Sequence, residues 1–273
     1  MDWQRMLDGF KKHESILLVC VDVDKMMVQI NVKQMASTLS EDELVRAKKF
    51  RDPLLSDRFV AGRFCLREIL GRELDMASSE ISFSIGNNGK PVVSNSPTSP
   101  NKGGHFSFSR SQQYALIGYS ASRRIGVDVE LARSFPDMEL MAAEIFAEHQ
   151  LLKWRSLSPA QRPLGFFRAW TRKEAVVKVD GRGISDGVRH IEVPFGGIAD
   201  QVIEVALPAC TNHAQNNAIT VLLTQWQPND ELVASVALEW GPEKCPLTFT
   251  DREDEQFGTQ NRSATRRSFY FAN

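Results

Sequence analysis

The chain lacks the marks of a secreted or membrane protein. It has four cysteines in 273 residues, Cys20, Cys65, Cys210 and Cys245. They lie far apart and form no CxxC pair, which argues against a zinc framework or a disulfide scaffold and predicts a reduced, cytoplasmic protein. No apolar run approaches the roughly 18 residues of a membrane span. The start, "MDWQRMLDGFKKHES", carries Asp2 and Asp8 and does not read as a secretory signal. Charge of one sign is also missing: the net value of −1 argues against a generic nucleic-acid or anionic-membrane binder. There is no GxSxG, no Walker A loop and no GxGxxG. The histidines show no metal-ligand spacing, and only His105, at the head of "SFSRS", stands near anything of chemical interest.

What remains is an ordinary globular composition with alternating helical and strand-like segments. Residues 15–32 read as strand. Ser40 and Glu43 form a capping box, so a helix begins near Glu41. Residues 54–74 make a second helix with Phe59, Phe64, Leu66, Ile69 and Leu70 on its core face. "ISFSIGNNGKPVVSN" predicts strand, turn at Asn88-Gly89, strand, and 94–104 a mobile polar loop. "HFSFSRSQQYALIGYS" predicts a hairpin. A second half begins near Arg123 with the short strand "IGVDVE". One helix is expected over "PDMELMAAEIFAEHQLLKWRSL". Ser158-Pro159 should open a short helix, and "GFFRAWTRKEAVVKV" a longer one. "VRHIEVPF", "QVIEVALP", "NAITVLLTQWQ" and "LVASVALEW" read as strands. The fold class is α+β, with lobes at 1–122 and 123–240. The charged segment 241–273 is expected to be a disordered tail.

Three groups of residues carry possible chemistry. In "GVDVE", Asp128 and Glu130 point to one face of a strand and the valines to the other. Two adjacent carboxylates repel unless a cation joins them, and hard oxygen ligands suit Mg²⁺. Two solvated acids at a strand end are the alternative, and "VDVD" at 21–24 offers the same geometry with Asp22 and Asp24. In the long helix, Trp170, Glu174 and Lys178 share a face at a spacing of four. They make either a salt bridge or a metal ligand beside a phosphate-binding ammonium. Gly181 and Gly183 allow a tight turn after it. In the first half, Arg46, Lys48, Lys49, Arg58, Arg63, Lys90, Ser109 and Arg110 offer cations and hydroxyls suited to phosphate oxygens, or else a solvated basic face.

The ordered motifs resemble those of the 4′-phosphopantetheinyl transferases, of the larger monomeric type that activates peptide synthetases. "KFRDPLLSDRFVAGRFCLREIL", "NNGKP" and "HFSFSRS" resemble the family's first-half helical segment, its N-x-x-G-K-P turn and its F-N-x-S-H-S strand. "GVDVE" and "FFRAWTRKEAVVKVDGRGI" resemble its two hallmark motifs. The matching stretch runs from about Lys49 to Ile184, and the resemblance does not extend to the segment from Gly241.

The resemblance implies two similar α+β lobes in a pseudodimer, with coenzyme A as co-substrate in the cleft between them. It implies Mg²⁺-dependent transfer of the phosphopantetheine arm to a serine of an apo acyl or peptidyl carrier protein, with release of 3′,5′-ADP. The carrier could belong to a fatty-acid, polyketide or peptide synthase or to an aminoadipate reductase. By the family pattern Asp128, Glu130 and Glu174 bind the metal, and Lys178 stabilises or protonates the leaving phosphate. Lys90, Ser109 and Arg110 contact coenzyme A, with Arg46 and Arg58 assisting. The base that takes the serine proton is Glu174, Asp128 or a metal-bound water. Arg123, Arg124 or Arg172 would meet the carrier. A monomer is expected, with no nucleic-acid or membrane partner. Two positions depart from the pattern: Arg110 stands where histidine is common and Ser107 where asparagine is. A non-catalytic coenzyme A or carrier-binding module, or an unrelated Mg²⁺-dependent phosphohydrolase, is the competing reading.

Overall fold

A computed structural model describes residues 16–86, 89–94, 104–181, 187–196, 201–207, 219–228, 232–240, 247–250 and 264–271. They form a mixed α+β chain with antiparallel sheets. The chain divides into two units, one of Met1–Ser84, Pro91–Ser122 and Thr248–Phe271, the other of Ile85–Lys90, Arg123–Leu247 and Ala272–Asn273.

In the first unit β1 (Ile16–Asp22) is rich in β-branched residues and buried on both faces. The strand-like pattern was expected to run on to Val32, but β1 stops at Asp22. The Asp22 carboxylate accepts a hydrogen bond from the Lys25 amide at 3.2 Å and caps helix α1 (Val23–Gln29). Asp24 turns to Arg58 instead. The "VDVD" pair is therefore a helix start and not a strand-borne acid pair. Helix α2 spans Val32–Ala36, and α3 (Glu41–Lys48) begins with the predicted capping box at Ser40 and Glu43. Helix α4 (Pro53–Leu74) starts on Asp52, which accepts from the Leu54 amide at 2.9 Å, with Pro53 in the first turn. A short strand pair, β2 (Phe83–Ile85) and β3 (Pro91–Val93), follows. Gly89 has φ +81°, the left-handed turn conformation expected there, while Asn88 lies outside the described residues. The loop expected over 94–104 lies almost wholly outside them too.

Strands β4 (His105–Ser111) and β5 (Tyr114–Ser120) form the predicted hairpin. Val19 and Val21 of β1 and Ala115 and Ile117 of β5 share a core with Phe59, Phe64, Leu66, Ile69 and Leu70 of α4. Two stretches of the segment expected to lack order form strands, β10 (Leu247–Thr250) and β11 (Ala264–Phe271). β11 pairs antiparallel with β1, whose other edge takes β5, so the sheet runs β10-β11-β1-β5-β4. An unpaired edge on β1 would leave backbone donors and acceptors unmatched, and β11 supplies the partner.

The second unit sets one long helix against a four-stranded sheet. Its strands are β6 (Ile125–Leu131), β7 (Ile203–Leu207), β8 (Ile219–Trp226) and β9 (Leu232–Glu239), in the order β6-β9-β8-β7. The single helix expected after Pro136 is broken into α5 (Met138–Ile145) and α6 (Glu148–Arg155). Phe146 is extended at the break, with its ring buried against Trp154 and Phe166. The helix expected at Ser158-Pro159 is only a turn, in which the Gln161 amide donates to the Ser158 carbonyl at 2.9 Å. Helix α7 (Arg162–Asp180) carries its proline, Pro163, inside its own first turn and stops at Gly181, where φ is +82°. Gly183 lies outside the described residues. The strand expected over "VRHIEVPF" is a 3₁₀ turn at Val188–His190 followed by irregular chain.

Candidate active site

Helix α7 lies against β6 and β9, and the contact depends on Gly126. A Cβ there would fall 1.9 Å from the Ala175 carbonyl oxygen. Glycine lets the backbones meet, and the next inward position on the strand, Asp128, is thereby placed against the helix. Val127 and Val129 point away and are fully buried.

The helix is buried almost all round. Thr171, Arg172, Lys173 and Glu174 are four consecutive polar residues, and each is buried. Thr171 shares a hydroxyl hydrogen bond of 2.9 Å with Ser235 of β9. Arg172 donates to the Pro194 carbonyl and to Gln225 Oε1. Lys173 Nζ donates to Gln150 Oε1 at 2.8 Å and to the carbonyls of Val188 and Ile191 at 2.9 and 2.8 Å. Lys173 thereby fastens the 3₁₀ turn back onto the helix. Burial pulls its pKa down to about 8. Trp170 stacks on Phe166 at 6.5 Å, as the four-residue spacing predicts.

The remaining side of the helix meets β6. Lys178 Nζ donates to Asp128 Oδ1 at 2.6 Å and lies 3.8 Å from Glu174 Oε2. Asp128 and Glu174 are buried, and Lys178 keeps 28% of its side chain exposed. Glu174 Oε1 is buried without a hydrogen-bond partner. Burial, and then the charges of Asp128 and Glu130, push the Glu174 carboxyl up to about 7, against the opposing pull of Lys178. Burial works against the Lys178 ammonium, but Asp128, Glu174 and Glu130 outweigh it and raise its pKa. Among the described residues no three or more His, Cys, Asp or Glu side chains are gathered as a ready metal site. The three acids nevertheless act on one another, and the Lys178 ammonium takes up their charge.

Lys90 belongs to the same unit. It donates to the Ile125 carbonyl, and burial with the nearby Arg124 and Lys178 charges lowers it to about 7. In the first unit Arg46 and Arg110 lie over the Phe59 ring, while Ser109 is buried on β4. Arg58 is elsewhere committed: its guanidinium forks onto Asp24 at 2.8 and 2.5 Å.

Residues 124–237 match the 4′-phosphopantetheinyl transferase superfamily. The chain is 35% identical over 214 residues to the 4′-phosphopantetheinyl transferase HetI of Nostoc sp. (strain PCC 7120), spanning 77% of this chain and 84% of that one. The chain belongs to the 4′-phosphopantetheinyl transferase superfamily. It is also 34% identical over 154 residues to the putative 4′-phosphopantetheinyl transferase slr0495 of Synechocystis sp. (strain PCC 6803), covering 56% of this chain and 61% of the relative. With the 4′-phosphopantetheinyl transferase Sfp of Bacillus subtilis the identity is 23% over 184 residues, 63% of this chain and 79% of the relative.

Within the transferase, three contributors escaped the sequence reading. Gly126 was quoted in "GVDVE", but its close approach to Ala175 needs the packed helix to be seen. Lys173 carries no signal of its own in the sequence, and Arg172 was expected to meet the carrier. Arg172 is instead fully buried and presents no surface to a carrier. Arg124 is held by Glu239 in a two-pronged ion pair, and Arg123 lies over Trp240. The only advance signal for the buried pair was their place in a row with apolar residues on both sides, Trp170 before and Ala175 to Val177 after.

Proposed function

We propose that the protein transfers the 4′-phosphopantetheine arm of coenzyme A to a serine hydroxyl of an apo acyl or peptidyl carrier protein. The observation that carries this reading is the Asp128–Lys178–Glu174 cluster, a buried-edge cation between two acids, inside the segment that matches the family. Serine Oγ would attack the phosphorus that bears the pantetheine. The new P–O bond forms as the bond to the bridging oxygen breaks, and 3′,5′-ADP leaves. Lys178 stands ready to neutralise or protonate that oxygen. Glu174 or Asp128 would take the serine proton; in the metal-free protein burial, and then the Asp128 charge, raise the Glu174 carboxyl to about 7, and holding a cation would make it a weaker base.

Asp128, Glu130 and Glu174 would supply the hard oxygen donors that suit Mg²⁺ once a cation draws them together, and the unpartnered Glu174 Oε1 offers a buried lone pair for it. When bound, Mg²⁺ would neutralise phosphate charge. Lys90, Ser109, Arg46 and Arg110 would take phosphate oxygens or the adenosine end of coenzyme A. Arg58 would have to release Asp24 to join them. The enzyme is proposed to act as a cytoplasmic monomer; among the described residues no helix is long and apolar enough to cross a membrane.

The test is intact-mass spectrometry of apo carrier proteins from fatty-acid, polyketide, peptide-synthetase and aminoadipate-reductase systems, each incubated with the enzyme, coenzyme A and Mg²⁺. A gain of one phosphopantetheine arm, abolished by EDTA, is expected on at least one carrier. Coenzyme A binding without any gain on any carrier would favour a binding module, and coenzyme A breakdown without a carrier a hydrolase.

A further inference from the structure

The first unit sorts its arginines by partner. Arg58 is forked on Asp24, and Arg63 and Arg67 share Glu43. Arg46 and Arg110 have no carboxylate partner among the described residues. Each instead holds its guanidinium over the ring of Phe59, at 5.6 and 5.1 Å. Desolvation of its stem and ring-side face, and then the charges of Arg46 and Arg63, lower the Arg110 pKa, although the residue as a whole is exposed.

Helix α4 makes this arrangement possible. Phe59 and Gly62 are three residues apart and share a helix face. A Cβ on Gly62 would fall 3.1 Å from Arg110 Cδ and 3.3 Å from the Phe108 ring. The missing side chain is therefore the channel through which the Arg110 stem passes, and the Phe59 ring is the platform on which its head rests. A guanidinium laid on a ring face keeps its N–H edge available for a planar, two-pronged grip on phosphate.

We propose that Phe59 and Gly62 are positioning residues. Together they form a slot on α4 that holds Arg110, with Arg46 on the same ring, as a preformed receptor for a phosphate group of coenzyme A. The proposal rests on the coenzyme A reading above. It also accounts for an arginine at position 110, since a longer side chain needs a gap and a platform that a histidine does not.

Calorimetric titration of the full chain with coenzyme A tests it as a double-mutant cycle. Arg110→Ala should weaken binding about 10-fold or more. Gly62→Ala and Phe59→Leu should each weaken it by about 3- to 10-fold in the wild-type background, and by less than about twofold in the Arg110→Ala background. Alanine favours the helix over glycine. Gly62→Ala should therefore keep or raise the melting temperature while it loses affinity, an opposition that a purely structural role would not produce. Losses that add fully to Arg110→Ala, or unchanged affinity in Gly62→Ala, would overturn the slot while leaving the coenzyme A reading intact. Wild-type protein that binds no coenzyme A would overturn both.

Discussion

Lys178 and Asp128 meet at 2.6 Å across the contact between α7 and β6, with Glu174 3.8 Å from the same ammonium. The ammonium is the shared counter-charge of a carboxylate pair that would otherwise repel. Asp128→Ala removes its nearest partner. The expected result is a folded protein whose transferase rate falls at least about 100-fold. Circular dichroism and the carrier-mass assay together check this. Full activity in the variant would remove Asp128 from the site.

Glu174 should make the metal-free protein less stable as pH rises. Its folded pKa, about 7, lies above the ordinary 4.5. The folded state therefore holds the proton more tightly, and the native protein is relieved of the penalty at low pH. Stability is lost as pH climbs from about 4.5 to about 7, by on the order of 1–3 kcal/mol. Urea unfolding in EDTA at pH 5 and pH 8 should show Glu174→Gln gaining on wild type at the higher pH. Added Mg²⁺ should raise the wild-type melting temperature more at pH 8 than at pH 6, because the carboxylate must be ionised to bind it. Identical pH slopes for wild type and Glu174→Gln would sink the assignment of that raised pKa.

Local chemistry made part of the fold readable. The Ser40–Glu43 box set the start of α3, and the four-residue spacing of Glu174 and Lys178 put both on one side of α7, where the Lys178 ammonium meets Asp128 of β6. At two of the misread elements a partner far along the chain takes part. β1 gives way to helix at Asp22 because that carboxylate caps α1 and Asp24 is taken by Arg58, 34 positions away. "VRHIEVPF" alternates like a strand, yet Lys173 and Gln150 claim its carbonyls and hold it in a 3₁₀ turn. At the site the acids and Lys178 were legible as residue types at the right spacing. The burial of Arg172 was not, because an arginine with amide and carbonyl partners looks in sequence like any surface arginine.

Gly126 should tolerate no side chain. The Cβ of alanine would sit 1.9 Å from the Ala175 carbonyl oxygen, and a backbone atom cannot swing aside as a flexible side chain can. Gly126→Ala must push α7 off β6, at a cost of about 3 kcal/mol. Because Asp128 and Lys178 lie on the two elements so separated, activity should fall more than stability alone explains. Denaturant midpoints and rates on the fraction that remains folded measure the two effects. A variant as stable and active as wild type would show that the helix does not bear on the strand there.

Lys173 is expected to behave as a core residue although its type suggests a surface one. Lys173→Met keeps the apolar stem but leaves the Val188 carbonyl and Gln150 Oε1 without that donor, and the Ile191 carbonyl with Gln150 Nε2 alone. Unsatisfied buried acceptors cost about 1–3 kcal/mol each. The variant should lose about 3 kcal/mol or more, where an exposed lysine would move stability by less than about 0.5 kcal/mol. Chemical denaturation decides between these. Lys173→Arg would not restore the loss, because a planar fork cannot reproduce three donors converging from one nitrogen.

Arg110 carries the last prediction, on pH. An arginine stays charged across the working range of an enzyme even when burial and neighbouring cations lower its pKa, as they do here. Its grip on a phosphate should therefore not vary between about pH 6 and 8. Arg110→His places a group there whose ordinary pKa is about 6.5. It would face the same burial and the same Arg46 and Arg63 charges, all of which favour the neutral ring. KM for coenzyme A should accordingly rise in the variant as pH passes from 5.5 to 7.5, by about 10-fold if one charge-assisted phosphate contact is lost, while wild type stays flat. Steady-state kinetics with a fixed carrier protein measure it. A flat profile in both proteins would mean that position 110 does not touch the phosphate. A sloping profile in wild type would place the titrating contact elsewhere, with Lys90, whose pKa lies near 7, the first residue to replace.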